Sequence, residues 1–293
     1  MVKHCIVADL SFSIDTDDQE LLALLALRYA PFSRCASECS EVQQLFSLKH
    51  CENHFSEETF DFVQRFDCEG CQCVYERSAT GVRISILEHQ ADKISAQMQC
   101  DSHFSEAYCW LSGDVDQREF CINNFLMMLY AFASMNKHTL LFHASVVACR
   151  GKGYLFLGKS GTGKSTHSSL WLKHVPGCEL VNDDNPVVGI RQGKVVVYGS
   201  PWSGKTPCYR DVSYEVGAFV QIARDKVNLI TSMDAVQAFV TLLPACSGVK
   251  WDKQLYRSQC DAITELVERT KVFLLNCRPD AEAALVCSSG VGL

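Results

Sequence analysis

The stretch Gly158-Lys-Ser-Gly-Thr-Gly-Lys-Ser165 decides how the middle of the chain folds, because it fits G-x-x-x-x-G-K-[ST] at every fixed position. Its glycines allow a tight turn with positive φ, so successive N–H groups can cradle phosphate oxygens. Lys164 can reach the terminal phosphates of ATP as a point charge, and the Ser165 hydroxyl is placed to ligate Mg²⁺. The predicted phosphate-binding residues are Gly158, Lys159, Ser160, Gly161, Thr162, Gly163, Lys164, Ser165 and Thr166.

The residues on either side of this loop support the same interpretation. Tyr154-Leu-Phe-Leu157 reads as a short apolar strand, and residues 165–174 read as a helix that ends before Pro176-Gly177. The alternative is a glycine-rich hairpin turn with no ligand. The order strand, loop, helix favours a phosphate-binding loop, because that is the context the motif requires.

An acidic pair, Asp183 and Asp184, follows the next predicted strand, Leu180-Val181. Two adjacent carboxylates repel one another, which can raise the pKa of one and create a base. The alternative is an Asn-Asp-Asp turn, because Asn182 and Asn185 flank the pair. Beside a phosphate loop, the pair indicates a carboxylate on the magnesium side of the nucleotide.

These motifs, with Phe142-His-Ala-Ser-Val-Val147 upstream, resemble the catalytic domain of the HPr kinase/phosphorylase family. That family shows a His-containing strand, a G-x-S-G-x-G-K-S loop and a Val-Ala-Asp-Asp-like strand end. The sequence is more closely similar to bacterial HPr-kinase-like proteins whose substrates are mostly unassigned. It looks more distantly like ATP-dependent phosphoenolpyruvate carboxykinase, with its Ser-Gly-Thr-Gly-Lys loop and later Gly-Asp-Asp. The resemblance covers about residues 140–206.

The resemblance implies a phosphate-loop kinase core and a role for each matching residue. Asp184 would lie near the metal and the acceptor, with Asp183 supporting it, and Ser165 with Asp184 would hold Mg²⁺. His143 would sit close to the transferred phosphate, although a lone His beside apolar residues is usually a core residue. The family forms hexamers, so self-association is an expectation of the resemblance.

One segment departs from the family pattern. The family's Arg-Gly-x-Gly substrate loop is not visible, and Tyr198-Gly-Ser-Pro-Trp-Ser-Gly-Lys-Thr206 stands in its place. We expect Trp202, Ser203 and Lys205, with Arg210 nearby, to bind the acceptor, since cations there could neutralise charge that develops in phosphoryl transfer. The alternative is an ordinary proline-rich turn with the Trp in the core. Because of this departure, the resemblance does not imply HPr itself as the substrate.

Composition limits the classes of partner. The chain has 293 residues, 47% hydrophobic and 21% charged, with a net charge of −7, which is ordinary for a globular protein with a core. The acidic balance gives no electrostatic footprint for nucleic acid or an anionic membrane. No apolar run approaches the roughly 20 residues needed to span a bilayer. The chain start has too short an apolar stretch for a secretory signal, so we expect a cytoplasmic protein.

Seventeen cysteines are spread along the chain, mostly beside apolar residues, as expected of buried thiols in a reducing compartment. One cluster contains a C-x-x-C pair, and its members are Cys35, Cys39, Cys51, Cys68, Cys71 and Cys73. Such a set could hold Zn²⁺, but a second clean C-x-x-C is missing. A hairpin that turns at Glu69-Gly70 is the preferred interpretation.

The fold class expected is α/β (α+β), in two parts. Alternating strands between residues 1 and 112 predict a β-rich N-terminal subdomain, whose role would be docking. Residues 113–293 are expected to form the kinase-like core, beginning with a long apolar helix over Gln117–Met135. A later helix is predicted over residues 232–243 with Ser232 as its N-cap.

The sequence therefore favours an ATP- and Mg²⁺-dependent kinase that transfers the γ-phosphate to a hydroxyl on a protein serine or a small molecule. Two other classes remain. One is a nucleotide-binding regulator without turnover, and the other is a carboxykinase-like enzyme, for which the chain looks short.

Overall fold

The computed structural model describes residues 1–52, 55, 59–68, 71–88, 93–204 and 206–293. The chain divides into two compact units. The first is Met1–Ser134 with Lys250–Asp252, and the second is Met135–Val249 with Lys253–Leu293. The division thus falls at 134/135 rather than at the 112/113 expected from the sequence, because the long helix Val115–Ser134 belongs to the first unit.

The first unit is built on one large mixed sheet. Its strands are β1 (Val2–Val7), β2 (Leu10–Asp15), β3 (Ser33–Arg34), β4 (Gln43–His50), β5 (Asp61–Cys68), β6 (Cys71–Arg77), β7 (Gly81–Leu87), β8 (Ile94–Asp101) and β9 (Glu106–Leu111). Their order across the sheet is β3-β1-β2-β4-β9-β8-β7-β6-β5. β4 lies between β2 and β9 and is parallel to both. The sequence of residues 32–57 is polar and predicts no element there.

Three helices accompany this sheet, α1 (Gln19–Tyr29), α2 (Ala36–Ser40) and α3 (Val115–Ser134). Helix α3 packs on β4, β8 and β9, and most of its apolar side chains are buried. Phe12 contacts Phe46, Tyr29 and Tyr130, with ring centroids 5.0, 6.3 and 6.1 Å away. Aromatic burial of this kind adds packing energy beyond the area removed from water, so this cluster ties both long helices to the sheet.

His50, the last residue of β4, gives the first unit a pH-dependent stability. Its Nδ1 lies 3.0 Å from Thr16 Oγ1, and burial lowers its pKa below the usual value. Below a pH of about 6.5 the unfolded chain takes up a proton more readily than the folded one. We therefore expect the free energy of unfolding to fall as the pH drops below about 6.5. His50→Gln should remove that component in urea denaturation at several pH values.

The exposed His103 serves as the control. His103→Gln should keep the pH profile of the unmodified protein. An identical profile in His50→Gln and the unmodified protein would contradict the assignment.

The second unit contains the sheet that carries the glycine-rich loop. Its strands are β10 (Thr139–Leu141), β11 (Ala144–Cys149), β12 (Lys152–Leu157), β13 (Cys178–Asn182), β14 (Val187–Arg191), β15 (Lys194–Tyr198), β16 (Ser213–Arg224), β17 (Leu229–Ser232) and β18 (Val272–Cys277). The order is β10-β14-β15-β16-β12-β11-β13, and β18 pairs with both β16 and β17. β12, β16 and β18 run parallel, with β16 pairing to both of the others. The mixed sheets and helices agree with the expected α/β (α+β) class.

The helices of the second unit are α4 (Lys164–His174), α5 (Ala235–Ala245), α6 (Lys253–Arg269) and α7 (Ala281–Gly290). α4 is held on the sheet by Trp171, whose ring centroid lies 5.1 Å from that of Tyr154 and 5.2 Å from that of Phe156 on β12. These side chains are buried in one apolar cluster with residues of β16, β18 and α7. The orientation of α4, and with it the loop before it, is therefore fixed by core packing.

The predicted N-cap of α5 is wrong by two residues. Ser232 belongs to β17, where it pairs with Phe273 of β18. Asp234 is the N-cap, because its side chain accepts a hydrogen bond from the Gln237 N–H at 2.8 Å, and the Asp234 N–H donates to Gln237 Oε1 at 3.1 Å.

Two searches of the described residues bear on membranes and metals. No helix in the described ranges is both long enough and apolar enough to cross a membrane. Within the same ranges, no three or more His, Cys, Asp or Glu side chains are gathered as a metal would require. The seventeen cysteines are free thiols. Cys71 and Cys73 have their sulfur atoms 3.7 Å apart, and Glu69-Gly70 lies outside the described residues.

Candidate functional site

Several chain segments meet at one edge of the second sheet. The glycine-rich loop follows the C-terminal end of β12, and the acidic pair follows the C-terminal end of β13. His143 precedes β11, which runs antiparallel to both of these strands, so its start lies at the same edge. The backbone N–H of Ala144 donates to Asp184 O at 2.8 Å and joins two of these segments directly. Ligands of open α/β sheets bind at this edge.

The glycine-rich loop has the backbone that the sequence predicts. Gly161 and Gly163 have φ values of +76° and +118°, which side chains with a Cβ rarely adopt. A Cβ built on either would meet no atom within 4 Å, so the space beside both is open. The Thr162 N–H donates to Lys159 O at 3.0 Å and closes the turn. Lys159, Ser160, Ser165 and Thr166 are exposed.

Lys164, His143 and Asp184 form a contiguous polar chain. Lys164 Nζ lies 2.7 Å from His143 Nε2 and donates to Gly158 O at 3.1 Å. His143 Nδ1 in turn lies 3.2 Å from Asp184 Oδ1. When the ammonium of Lys164 donates to Nε2, the neutral imidazole carries its proton on Nδ1, facing the carboxylate. The structure therefore brings together Lys164, predicted to reach the terminal phosphates, His143, predicted near the transferred phosphate, and Asp184, predicted near the metal and the acceptor.

Asp183 has different surroundings from Asp184. It is buried, and its Oδ1 accepts a hydrogen bond from Ser145 Oγ at 3.0 Å. Ser145 Oγ also lies 2.6 Å from Ser168 Oγ on α4. Asp184 is more accessible, and its Oδ2 accepts from the Asn185 side chain at 3.1 Å. Asp183 thus ties β11 to α4 through two hydroxyls, and Asp184 is the carboxylate with accessible surface.

Removing the Ser145 hydroxyl should destabilise the protein. In Ser145→Ala, the buried Asp183 carboxylate loses the hydroxyl donor, and an unsatisfied buried group costs about 1–3 kcal/mol. We expect a loss of that size in the free energy of unfolding measured with urea.

Ser169 on the exposed face of α4 is the matched control, because among the described residues its Oγ bonds only to Ser165 O, at 2.9 Å. Ser169→Ala should change the unfolding free energy by less than about 0.5 kcal/mol. Equal effects of the two substitutions would contradict a supporting role for Ser145.

The acidic pair also forms the turn that was weighed as its alternative. The Asp184 N–H donates to Asn182 Oδ1 at 2.9 Å, which is the geometry of an Asx turn. The Asn182 amide donates to Ser200 Oγ at 3.1 Å. The turn fixes the direction of Asp184, so the two interpretations are compatible.

The residues expected to bind the acceptor differ in their surroundings. Trp202 is 2% exposed, so its ring offers little surface to a substrate, and its carbonyl accepts from the Asn185 N–H at 3.1 Å. A Cβ on Gly204 would lie 3.0 Å from Asp184 Cβ, which places Gly204 beside Asp184. The Ser203 hydroxyl donates to Thr206 O at 2.7 Å. Lys205 lies outside the described residues.

Arg210 lies away from this chain of polar contacts. Its guanidinium pairs with Glu179 Oε2 at 2.7 Å and donates to Leu180 O at 2.5 Å. In the described part of the chain, no hydrogen bond or ion pair connects it with Lys164 or Asp184. It braces β13, and binding of the acceptor by Arg210 stays a prediction.

A cleft of about 240 Å³ opens beside the loop, lined in part by Gly163, His167 and Arg224. Arg224, at the end of β16, donates from Nε to Thr162 O at 3.1 Å and from Nη2 to Gly161 O. Burial lowers the pKa of His167 to about 4, so the ring is neutral, and its Nε2 accepts from Trp171 Nε1 at 3.1 Å. Arg224 therefore holds the glycine-rich loop from the neighbouring parallel strand.

Sequence reasoning missed Ser145, Ser168 and Arg224. The sequence predicts a turn at Arg224-Asp225, and neither serine stands in a motif of its own. The available signals were positional. Ser145 stands two residues after His143, and Arg224 ends a strand that runs beside β12.

The residues present fit a nucleotide with a divalent cation. The loop leaves open space beside Gly161 and Gly163 at the start of α4, where backbone N–H groups favour phosphate. The Ser165 hydroxyl and the Asp184 carboxylate are oxygen donors, which Mg²⁺ prefers.

Comparisons with known proteins do not assign this chain to a family. No family model matches the chain, and no curated protein matches it. Among solved structures, the chain is similar to the Hpr(Ser) kinase/phosphatase from Coxiella burnetii, with 13% identity and a TM-score of 0.32. That match covers 51% of this chain and 86% of the other. Membership of the HPr kinase family stays a prediction.

Proposed function

We propose that this chain is a kinase that binds Mg²⁺ and ATP at the glycine-rich loop and transfers the γ-phosphate to a hydroxyl acceptor. The observation that carries the proposal is the contact chain from Lys164 through His143 to Asp184. It links a cation that can contact the terminal phosphates to a carboxylate that can accept a proton. A loop that served only as a turn would not require these groups in contact.

Positioning and charge are the main contributions that a protein makes to phosphoryl transfer. The N–H groups of the loop hold the β- and γ-phosphates, and Lys164 neutralises charge on the transferred group. His143 orients both neighbours, because each ring nitrogen faces one of them. The Ser165 hydroxyl and the Asp184 carboxylate would hold Mg²⁺, which would supply further charge neutralisation at the phosphates.

Asp184 is the better candidate for the base, because Asp183 is buried and bonded to Ser145. In the transfer step the acceptor O–H gives its proton to a carboxylate oxygen of Asp184. The acceptor oxygen forms a bond to the γ-phosphorus, and the bond from that phosphorus to the ADP oxygen breaks. Asp183 supports this step by holding β11 and α4 in register with the acidic turn.

The acceptor would bind beside Gly204, which approaches Asp184, with Ser203 next to it in the chain. The acceptor class is a hydroxyl compound, either a protein serine or a small molecule. A cytoplasmic location and self-association belong to the same proposal.

The experiment uses ATP labelled at the γ-phosphate with Mg²⁺, incubated with free serine, with other hydroxylated metabolites and with the protein and small-molecule fractions of a bacterial lysate. We expect label to appear on a hydroxyl acceptor in one of these mixtures, and to require the enzyme. Nucleotide binding without transfer or hydrolysis in every mixture would overturn the kinase and support a nucleotide-binding regulator. Consumption of nucleotide only with oxaloacetate would support a carboxykinase-like enzyme.

A further inference from the structure

The cleft beside the glycine-rich loop is formed where three parallel strands end. The loop follows β12, Arg224 ends β16, and Cys277 ends β18, where it pairs with Arg224 across the sheet. The C-terminal ends of parallel strands meet at one edge of a sheet, so the cleft is continuous with the loop. Gly163 of the loop is part of its lining.

The floor of the cleft is apolar and its walls come from rigid elements. Leu170 of α4, Ile222 of β16 and Pro279 after β18 contribute to the lining. Leu170 and Ile222 also belong to the apolar cluster that holds α4 on the sheet. Pockets with mostly apolar walls and a few polar groups are typical of sites for ring-containing ligands.

A buried polar group also contributes to the lining. His167 is 2% exposed, and its Nε2 accepts the Trp171 N–H. In the neutral ring the proton is therefore on Nδ1, for which the described part of the chain supplies no hydrogen-bond partner. An N–H donor in an apolar wall can select a ligand that carries an acceptor.

The cations at the cleft are committed to protein partners. Arg224 donates to the carbonyls of Gly161 and Thr162. Arg278 pairs with Asp280 at 2.8 Å and with Glu282 at 2.6 Å. The cleft therefore suits an uncharged ring better than a phosphate. Its volume of about 240 Å³ is below the roughly 300–1,000 Å³ typical of sites that enclose a whole drug-sized ligand.

We propose that this cleft is the nucleoside subsite, which takes the purine base and ribose of the nucleotide whose phosphates occupy the loop. The inference rests on the proposed function, because it assumes that the loop binds a nucleotide. The base packs between Leu170 and the ends of β16 and β18. Arg224 couples the two parts of the site, since it lines the cleft and holds the loop.

The test compares two ligands, ATP and inorganic tripolyphosphate, by calorimetric titration of three proteins in the presence of Mg²⁺. Leu170→Trp fills the cleft from α4, and Leu172→Trp is the matched control, because Leu172 lies on the same helix, is 40% exposed and is not part of the lining. We expect Leu170→Trp to lower the affinity for ATP at least tenfold and to leave the affinity for tripolyphosphate unchanged. Leu172→Trp should change neither affinity.

If Leu170→Trp lowered the affinities for ATP and tripolyphosphate equally, or changed neither, the subsite would be overturned. In both cases ATP would still bind to the unmodified protein, so the proposed function would stand. Failure of the unmodified protein to bind either ligand would overturn both. A second measurement needs no substitution. 8-azido-ATP is photolysed on the unmodified protein, and the labelled peptides are sequenced. Label on peptides from α4 or residues 222–225 or 277–279 supports the subsite, and label confined to other peptides overturns it.

Discussion

Lys164→Met should weaken the binding of ATP roughly 10- to 100-fold, because losing a hydrogen bond to a charged group costs about 1.5–3 kcal/mol and each 1.4 kcal/mol is a factor of ten. The Lys164 side chain is buried, and its ammonium contacts His143 Nε2 and Gly158 O, so the protein holds this charge in a fixed place beside the loop. Methionine keeps the unbranched apolar stem of the side chain and removes the ammonium group. Calorimetric titration with Mg²⁺ and ATP measures the change.

Lys173→Met on the same helix is the matched control, because Lys173 is exposed in the last turn of α4. It removes one positive charge from the protein without touching the loop, and the affinity for ATP should stay as in the unmodified protein. Equal affinities in Lys164→Met and Lys173→Met would contradict the assignment of Lys164 to the phosphates.

Asp184→Asn should lower the rate of phosphate transfer by about 10²–10⁴-fold, the range typical of losing a general base. The amide keeps the size of the carboxylate and can still accept a hydrogen bond from His143 Nδ1. It can neither take the acceptor proton nor carry the charge that favours Mg²⁺. Nucleotide affinity measured without Mg²⁺ should change far less than the rate, because no contact of Lys164 with the loop is removed. Rates of labelled phosphate transfer, with affinities from titration, separate the two effects.

Asp261→Asn serves as the control, since Asp261 is exposed on α6. It should transfer phosphate at the rate of the unmodified protein. Full transfer activity in Asp184→Asn would contradict the assignment of Asp184 as the general base.

The local parts of the fold could be predicted from the sequence, because their signals are short. The strand, loop and helix around Gly158–Ser165 follow in the predicted order, and the acidic pair directly follows a strand. β4 was missed because its polar residues hide a strand whose pairing with β2 and β9 is long-range. The α5 cap was misplaced because pairing of Ser232 with Phe273 overrides its capping preference.

The candidate site was predicted only where a motif carries it. Lys164, Asp184 and His143 stand in recognisable patterns, and the structure brings them into contact. The bond from Ser145 to Asp183 and the bonds from Arg224 to the loop join residues far apart in the chain. Single-sequence periodicity contains no information about such pairs, so sheet order had to be known before either contact could be found.

The measurement that tests the central claim most directly is the stoichiometry of ADP and phosphoester, followed by ³¹P NMR with Mg²⁺, ATP and the lysate fraction that accepts label. One phosphoester should form for each ADP, and both signals should be lost in Asp184→Asn. ADP formed with an equal amount of inorganic phosphate would show a hydrolase instead. An unchanged ATP spectrum in every fraction would contradict phosphate transfer at this site.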